Sequence, residues 1–182
     1  MANNQIDTLR VLIIGGYGTF GGHLARRLAG HARLELLVAG RSLDKARAFV
    51  ETLGPATALA CRFDRDADVD RQLQALEPQI VVDASGPFQA YGENRYRVAQ
   101  AAIDAGAHYL DLADDRDFVI GISGLDERAR RNRVFAVSGA STSPALTSAI
   151  YRHLARHFDS VDTLRGGIAP SSRIRIGLSV FE

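Results

Sequence analysis

The sequence predicts an α/β fold, a doubly wound parallel sheet with helices on both faces. Two observations carry the prediction. Six short apolar runs alternate with longer segments of helical period over residues 1–158, and strands separated by helices form parallel sheets through crossover connections. The first and fourth runs, "RVLIIG" and "QIVVDAS", are almost continuously apolar. Strands covered by helices on both faces have this composition.

Each predicted element is bounded by turn or cap signals. Ser42 is a good N-cap and Gly54 a good stop for the second helix, while Ser143 and Pro144 favour the start of the last. The predicted strands are 10–15, 34–40, 56–63, 79–85, 107–113 and 134–139. The predicted helices are 19–29, 42–54, 66–77, 93–105, 123–132 and 143–158.

The final segment differs from the rest of the chain. Residues 159–182 contain two strand-like runs and a Gly/Pro/Ser loop without a following helix. We therefore predict one domain over 1–158, with 159–182 as the start of a C-terminal substrate domain that this chain lacks.

The composition of the chain limits the kinds of partner that it is expected to bind. The chain has 22 basic and 21 acidic residues, interspersed, with a formal net charge of +1, whereas nucleic-acid binding usually needs a one-sided basic excess. No apolar run approaches the roughly 20 residues of a membrane span, and the N-terminus lacks a signal-peptide core. Cys61 is the only cysteine, which fits a reducing compartment. We expect a soluble cytoplasmic protein with neither nucleic-acid nor membrane partners.

A glycine-rich loop lies between the first strand and the first helix. Gly16, Gly18 and Gly21 form G-x-G-x-x-G, and Gly15 adds a second, overlapping pattern. Glycines there allow a tight turn, close approach of the backbone to a pyrophosphate and close helix–strand packing, and the helix N-terminus favours anions. The alternative is a structural glycine turn without a ligand. The residues expected at a dinucleotide pyrophosphate are Gly15, Gly16, Gly18, Thr19, Phe20 and Gly21.

The end of the second strand favours NADP over NAD. NAD sites usually have an acidic residue about 20 residues after the glycines, but Glu35 lies near the start of this strand. Arg41 stands at its end, with Ser42 next and Lys45 one helical turn on. Arginine suits a 2′-phosphate because its guanidinium binds in a fork. Two alternatives stay open: NAD as cofactor, and a solvated Arg41 beside a Ser42 that only caps the helix.

Two further loops are predicted to line the cofactor. Asp64 ends the third strand, where a carboxylate can lie near the adenine, or it caps the next helix instead. The loop after the fourth strand flanks the crevice where the strand order reverses. Its residues Ala84, Ser85, Gly86 and Pro87 are expected beside the inner ribose and the nicotinamide.

Other catalytic constellations are weaker. A Tyr-x-x-x-Lys pair is excluded because Lys45 is the only lysine. His153 and His157 have i, i+4 spacing but lack the glutamate of a zinc protease. Asp111 ends the fifth strand and, with His108, is a weak candidate for an acid or base. No catalytic residue is assigned.

Five segments together resemble the saccharopine dehydrogenase-like family, specifically its N-terminal NAD(P)-binding domain. The resemblance covers about residues 9–158 and is carried by "VLIIGGYGTFGGHLARRLA", "VAGRSLDKA", "VVDASGPFQAYG", "AAIDAGAHYLDLADD" and "SGASTSPALTSAI". It implies a Rossmann domain, a separate substrate and dimerisation domain, and hydride transfer at the carbon of an imine or amine.

The resemblance leaves two functions open. The first is the NADP-binding domain of an oxidoreductase acting on an imine, amine or carbonyl carbon, with a small-molecule substrate held by the absent domain and a homodimer as one assembly. The second is a non-catalytic NADP-binding module with a regulatory or redox-sensing role. A gene encoding about 350 residues or more favours the first.

Overall fold

The sheet has the strand order of a dinucleotide-binding domain. The computed structural model describes residues 8–54 and 58–167. Six strands pair in parallel in the order β3-β2-β1-β4-β5-β6, which is the order of the Rossmann fold. The predicted fold class is confirmed. The strands are β1 Leu9–Ile14, β2 Leu34–Gly40, β3 Ala58–Arg62, β4 Ile80–Asp83, β5 His108–Asp111 and β6 Ala136–Val137.

The strand order reverses at β1, which lies between β2 and β4. Ile14 at the end of β1 is in register with Asp83 at the end of β4. The amide of Ala84 donates to the Ile14 carbonyl at 2.9 Å, and the amide of Gly16 donates to the Ala39 carbonyl at 3.0 Å. The turns after β1, β2 and β4 therefore meet at one edge of the sheet.

Among the described residues there are seven α-helices, six between strands and α7 after the last strand. They are α1 Thr19–Leu28, α2 Leu43–Glu51, α3 Val69–Leu76, α4 Arg97–Asp104, α5 Arg116–Gly121, α6 Asp126–Asn132 and α7 Thr147–Ala155. Short 3-10 turns at Phe88–Ala90 and Ile122–Leu125 occupy stretches that the sequence predicts as loop and helix start.

The last helix begins four residues later than predicted. Ser143 has extended dihedrals, φ −117° and ψ 123°, because the ring of a following proline disfavours the helical region for the residue before it. Ser143 therefore does not cap α7, which starts at Thr147 after an irregular turn. None of the α7 residues is buried.

Two apolar clusters cover the two faces of the sheet. Leu12 and Ile14 point into one cluster, with residues from α3, α4 and α6. Val11 and Ile13 point into the other, with residues from α1 and α2. The alternation of β1 side chains thus buries both faces, as expected for a doubly wound sheet.

Within the described residues, no helix is both long enough and apolar enough to cross a membrane. Two strand-like runs are predicted in the final segment, 159–182. Residues 159–167 form no strand, and residues 168–182 lie outside the described part.

Candidate functional site

The protein's own packing requires three of the loop glycines. Gly15 has φ +74°, and a Cβ there would lie 2.7 Å from the Ala84 carbonyl oxygen. A Cβ at Gly16 would lie 2.7 Å from the Ile13 carbonyl oxygen, and one at Gly21 would collide with the Gly15 carbonyl. The turn is therefore pressed against β1, α1 and the loop after β4, with no room for side chains.

Gly18 is different, because it faces outward at the N-terminus of α1. It is exposed, has φ −77°, and a Cβ there would meet only the Gly15 carbonyl oxygen, at 3.1 Å. Among the described residues, the amides of Thr19, Phe20 and Gly21 donate to no protein acceptor. Free amides at a helix start, together with the helix dipole, form a cradle for an anion.

The turn between β2 and α2 presents two free cations. Arg41 and Lys45 are both exposed, and within residues 8–54 and 58–167 neither side chain forms a hydrogen bond or an ion pair. Ser42 caps α2 by accepting the Lys45 amide at 3.3 Å. The Glu35 carboxylate forms an ion pair with Arg10 at 2.5 Å. Both residues lie near the starts of β1 and β2, far from this turn. The β2 carboxylate is thus engaged away from this turn.

Tyr17 also reaches this turn, which the sequence pattern does not indicate. Its hydroxyl accepts the Ser42 amide at 3.1 Å. Its ring lies against the last residue of β2, where a Cβ at Gly40 would come within 2.5 Å of the hydroxyl oxygen. The contact joins residues 23 to 25 positions apart, so no local spacing could have revealed it.

Asp64 orders the turn after β3 but does not cap α3. Its Oδ1 accepts the Asp66 amide at 3.1 Å, and the helix is capped by Asp68, which accepts the Arg71 amide at 3.0 Å. Gln72 closes the turn by accepting the Asp64 amide at 2.8 Å. A shallow cleft of about 330 Å³ opens there, lined by Arg62, Asp64, Ala67, Asp68, Arg71 and Gln72.

The loop after β4 is built on a buried carboxylate. Asp83 is 1% exposed, and its Oδ1 accepts both the Ser85 hydroxyl at 2.5 Å and the Ser85 amide at 3.0 Å. The Tyr91 hydroxyl lies 2.9 Å from the Ser85 hydroxyl. Ala84, Ser85, Gly86 and Pro87 are all partly exposed. The loop thus reaches the edge of the crevice, but the hydroxyl of Ser85 is committed to Asp83.

A second buried carboxylate stands beside the first. Asp111 is fully buried and in register with Asp83 across β4 and β5. Its Oδ1 accepts the Gly139 amide at 2.8 Å, the Ser138 hydroxyl at 2.8 Å and the Ala113 amide at 3.0 Å. The same oxygen thus joins β5 to the segment after β6.

Burial is the dominant influence on both carboxylates. It raises the pKa of Asp83, while hydrogen bonds from Ser85 and the charge of Arg65 act in the opposite direction. Burial likewise raises the pKa of Asp111 against the hydrogen bonds that it accepts. Arg65 stacks over the Tyr91 ring. We refer to Asp83, Ser85, Tyr91, Asp111 and Arg65 as the carboxylate cluster.

The weaker histidine candidates lie elsewhere. His108 begins β5, at the opposite end from Asp111, where its Nδ1 accepts the Phe135 amide at 3.2 Å and its ring stacks on Phe135. His153 lies on α7 and His157 lies just after it, and their ring centroids are 6.1 Å apart. In the described part of the chain, no group of three or more His, Cys, Asp or Glu could hold a metal ion.

Comparisons with known proteins agree with this geometry. A family model described as the saccharopine dehydrogenase NADP binding domain matches residues 11–153. No curated protein matches the sequence.

Several solved oxidoreductases share the fold. GenD2 from gentamicin A biosynthesis, in complex with NAD, is 23% identical with a TM-score of 0.54 over 84% of this chain. KijD10, a 3-ketoreductase from Actinomadura kijaniata in complex with NADP, is 19% identical with a TM-score of 0.53 over 82% of this chain. A hydroxysteroid dehydrogenase from Escherichia coli is 16% identical with a TM-score of 0.57, and the match covers 84% of this chain and 80% of that one. The chain spans only 40% of GenD2 and 43% of KijD10.

Proposed function

This chain belongs to the saccharopine dehydrogenase NADP-binding domain family, and from that premise we propose that it binds NADP in preference to NAD. It is the nicotinamide-dinucleotide-binding domain of an oxidoreductase family. The observation that carries the preference is that Arg41 and Lys45, which form no ion pair in the part of the chain that the structure describes, lie at a strand end without a carboxylate.

The pyrophosphate would be held by main chain rather than by side chains. In this proposal it lies against Gly16 and Gly18, with the free amides of Thr19, Phe20 and Gly21 as donors. The dipole of α1 adds a favourable potential for the two phosphates. The packing of the glycine turn supports this, because the turn leaves bare backbone at the helix start.

The 2′-phosphate would be held between the side chains of Arg41 and Lys45. An arginine can donate two parallel hydrogen bonds to phosphate oxygens, and a lysine supplies a compact charge. Ser42 would contribute its hydroxyl while it caps α2. Asp64, whose Oδ1 already accepts the Asp66 amide, would approach the adenine through its other oxygen.

The inner half of the site would be formed by Ala84, Ser85, Gly86 and Pro87. NADP, when bound, supplies or accepts the hydride that is exchanged with an imine, amine or carbonyl carbon. The contribution of this chain is to bind and orient, which can account for a large share of a rate enhancement. The substrate would be held by a further domain, which fits the partial coverage of GenD2 and KijD10. A cytoplasmic location and a homodimer belong to the same proposal.

The test is a fluorescence titration of the purified chain with NADPH and with NADH. We expect tighter binding of NADPH. Arg41→Ala should weaken NADPH binding about tenfold or more and leave NADH binding nearly unchanged, because only the 2′-phosphate contact is lost. Arg27→Ala, an exposed arginine at the far end of α1, is the matched control. Equal affinities for both nucleotides in the unchanged chain would refute the NADP preference.

A further inference from the structure

We propose that Tyr17 is a determinant of cofactor preference, because its ring fills the space that a carboxylate side chain at position 40 would need. This inference rests on the proposed function and deepens it. It concerns the choice between a ribose 2′-phosphate and a free 2′-hydroxyl.

The ring and the strand end are in direct contact. A Cβ at Gly40 would lie 2.5 Å from the Tyr17 hydroxyl oxygen, 2.6 Å from Cε1 and 2.7 Å from Cζ. Gly40 is buried at the end of β2 and does not have a positive φ. Its backbone is therefore not restricted to glycine, and the three atoms nearest to an added Cβ all belong to Tyr17. A larger residue at position 40 would require the Tyr17 side chain to shift.

Tyr17 is anchored through its backbone and through its hydroxyl. Its backbone lies between Gly16, whose amide donates to Ala39 at 3.0 Å, and Gly18, whose amide donates to Gly15 at 2.8 Å. At the other end its hydroxyl accepts the Ser42 amide at 3.1 Å. The ring also packs against the apolar cluster on the α1 and α2 face of the sheet, so moving it away from a new neighbour would cost both this packing and the hydrogen bond.

Position 40 is where an NAD-binding acid belongs. It ends the second strand, 19 residues after Gly21, and the acid that binds the ribose 2′-hydroxyl lies about 20 residues on. The next residue along the chain is Arg41, whose side chain is exposed. The Tyr17 hydroxyl accepts the amide of Ser42, the residue after Arg41, and so orders the backbone of this turn.

The first experiment is a double-mutant cycle on thermal stability, and it needs no nucleotide. Thermal unfolding is measured for Gly40→Ala, Tyr17→Ala and the double variant. We expect Gly40→Ala to lower Tm in the unchanged chain, because the new Cβ meets the ring, and to have a much smaller effect once Tyr17 is alanine. Equal effects of Gly40→Ala in the two backgrounds would overturn the proposed contact.

The second experiment measures cofactor preference by the same fluorescence titration. Gly40→Asp alone should not gain NADH affinity, whereas Gly40→Asp combined with Tyr17→Ala should bind NADH about tenfold more tightly than Gly40→Asp does. Tyr17→Phe keeps the ring but removes the acceptor for the Ser42 amide, and it should lower the NADPH-to-NADH preference by about threefold to tenfold.

The outcomes separate the inference from the function on which it rests. If the unchanged chain binds neither nucleotide, the proposed function fails and the inference fails with it. If the chain prefers NADPH but Gly40→Asp alone gains as much NADH affinity as the double variant, only the role of Tyr17 fails. Should Gly40→Asp not fold, recovery of folding by Tyr17→Ala supports the inference, and failure to recover opposes it.

Discussion

The two walls of the crevice are held by different kinds of contact. In the wall from β1, α1 and β2, the glycine turn is packed by main chain: at Gly15, Gly16 and Gly21 an added Cβ would meet backbone atoms. The wall from β4 and β5 is side chain: Asp83 and Asp111 are buried and accept hydrogen bonds from their own loops. Substitutions at these glycines act through size, whereas the second wall can also be perturbed by protonation.

This difference separates two ways of holding a loop beside a ligand. The glycines of the turn have no side chain that could titrate, and they contribute only backbone groups. The carboxylate cluster holds its loops through charges that burial disfavours. Its stability should therefore depend on pH, and substitutions in the two walls should have different signatures.

The largest expected effect is that of Gly21→Ala on the first wall. The added Cβ would collide with the Gly15 carbonyl, which is backbone and cannot rotate away. We expect a loss of about 3 kcal/mol or more in the free energy of unfolding, at the upper end of overpacking effects. Chemical denaturation at constant pH measures it.

Gly18→Ala is the matched control in the same turn. Its φ of −77° suits alanine and its Cβ would meet only one atom at 3.1 Å, so stability should change by less than about 1 kcal/mol. NADPH affinity should nevertheless fall, because the methyl group points toward the proposed pyrophosphate. Equal destabilisation by both substitutions would contradict the packing described for the turn.

A smaller, pH-dependent effect is expected for Asp111→Asn in the second wall. Burial raises the pKa of Asp111 above its ordinary value of 3.8, so the folded chain retains a proton that the unfolded chain has lost. The free energy of unfolding should therefore fall as the pH rises from about 3.8 through the folded-state pKa. Asparagine cannot titrate, and its amide oxygen can still accept from Gly139, so the fall should be shallower.

Denaturation between pH 4 and pH 7 checks this slope. The control is Asp66→Asn, an exposed carboxylate, which should leave the profile unchanged. A variant Asp111→Asn with the same slope as the unchanged chain would show that this carboxylate does not titrate in the window.

Within the carboxylate cluster, the smallest effect is expected for Tyr91→Phe. The hydroxyl lies 2.9 Å from the Ser85 hydroxyl and 3.4 Å from both oxygens of Asp83. Its removal should cost about 1 kcal/mol, more at pH 7 than at pH 4, because a lost donor disfavours the ionised form of Asp83. Equal losses at the two pH values would argue that Tyr91 contributes through ring packing alone.

The sequence was sufficient where the determinants are local. Apolar runs and helical period gave the six strands, and the glycine spacing located the turn whose tight packing the structure describes. Ser42 was expected to be able to cap α2, and it does. Ser143 failed as a cap because the proline after it favours extended backbone, a local effect that competes with the capping signal.

The remaining features depend on contacts between distant segments. Tyr17 meets Gly40 and Ser42 across two turns, and Asp83 gains its buried neighbour only when β4 pairs with β5. The sequence predicts the loop of residues 84–87 at this wall and singles out Asp111 at a strand end, but Asp83 lies inside the predicted strand 79–85. No periodicity encodes the pairing of the two carboxylates, so the carboxylate cluster could not be predicted.

The contact between Tyr17 and Gly40 constrains how cofactor choice could evolve or be redesigned. If an acid is introduced at position 40 while Tyr17 is present, its side chain meets the aromatic ring. If the Tyr17 ring is removed while position 40 is still glycine, a gap is left and no new group binds the cofactor. From the proposed role of Tyr17 we expect each single step to be unfavourable and only the pair to bring a gain, which would make the two positions epistatic. A mutant library that varies positions 17 and 40 together should yield cofactor-switched variants that one-at-a-time scanning would miss.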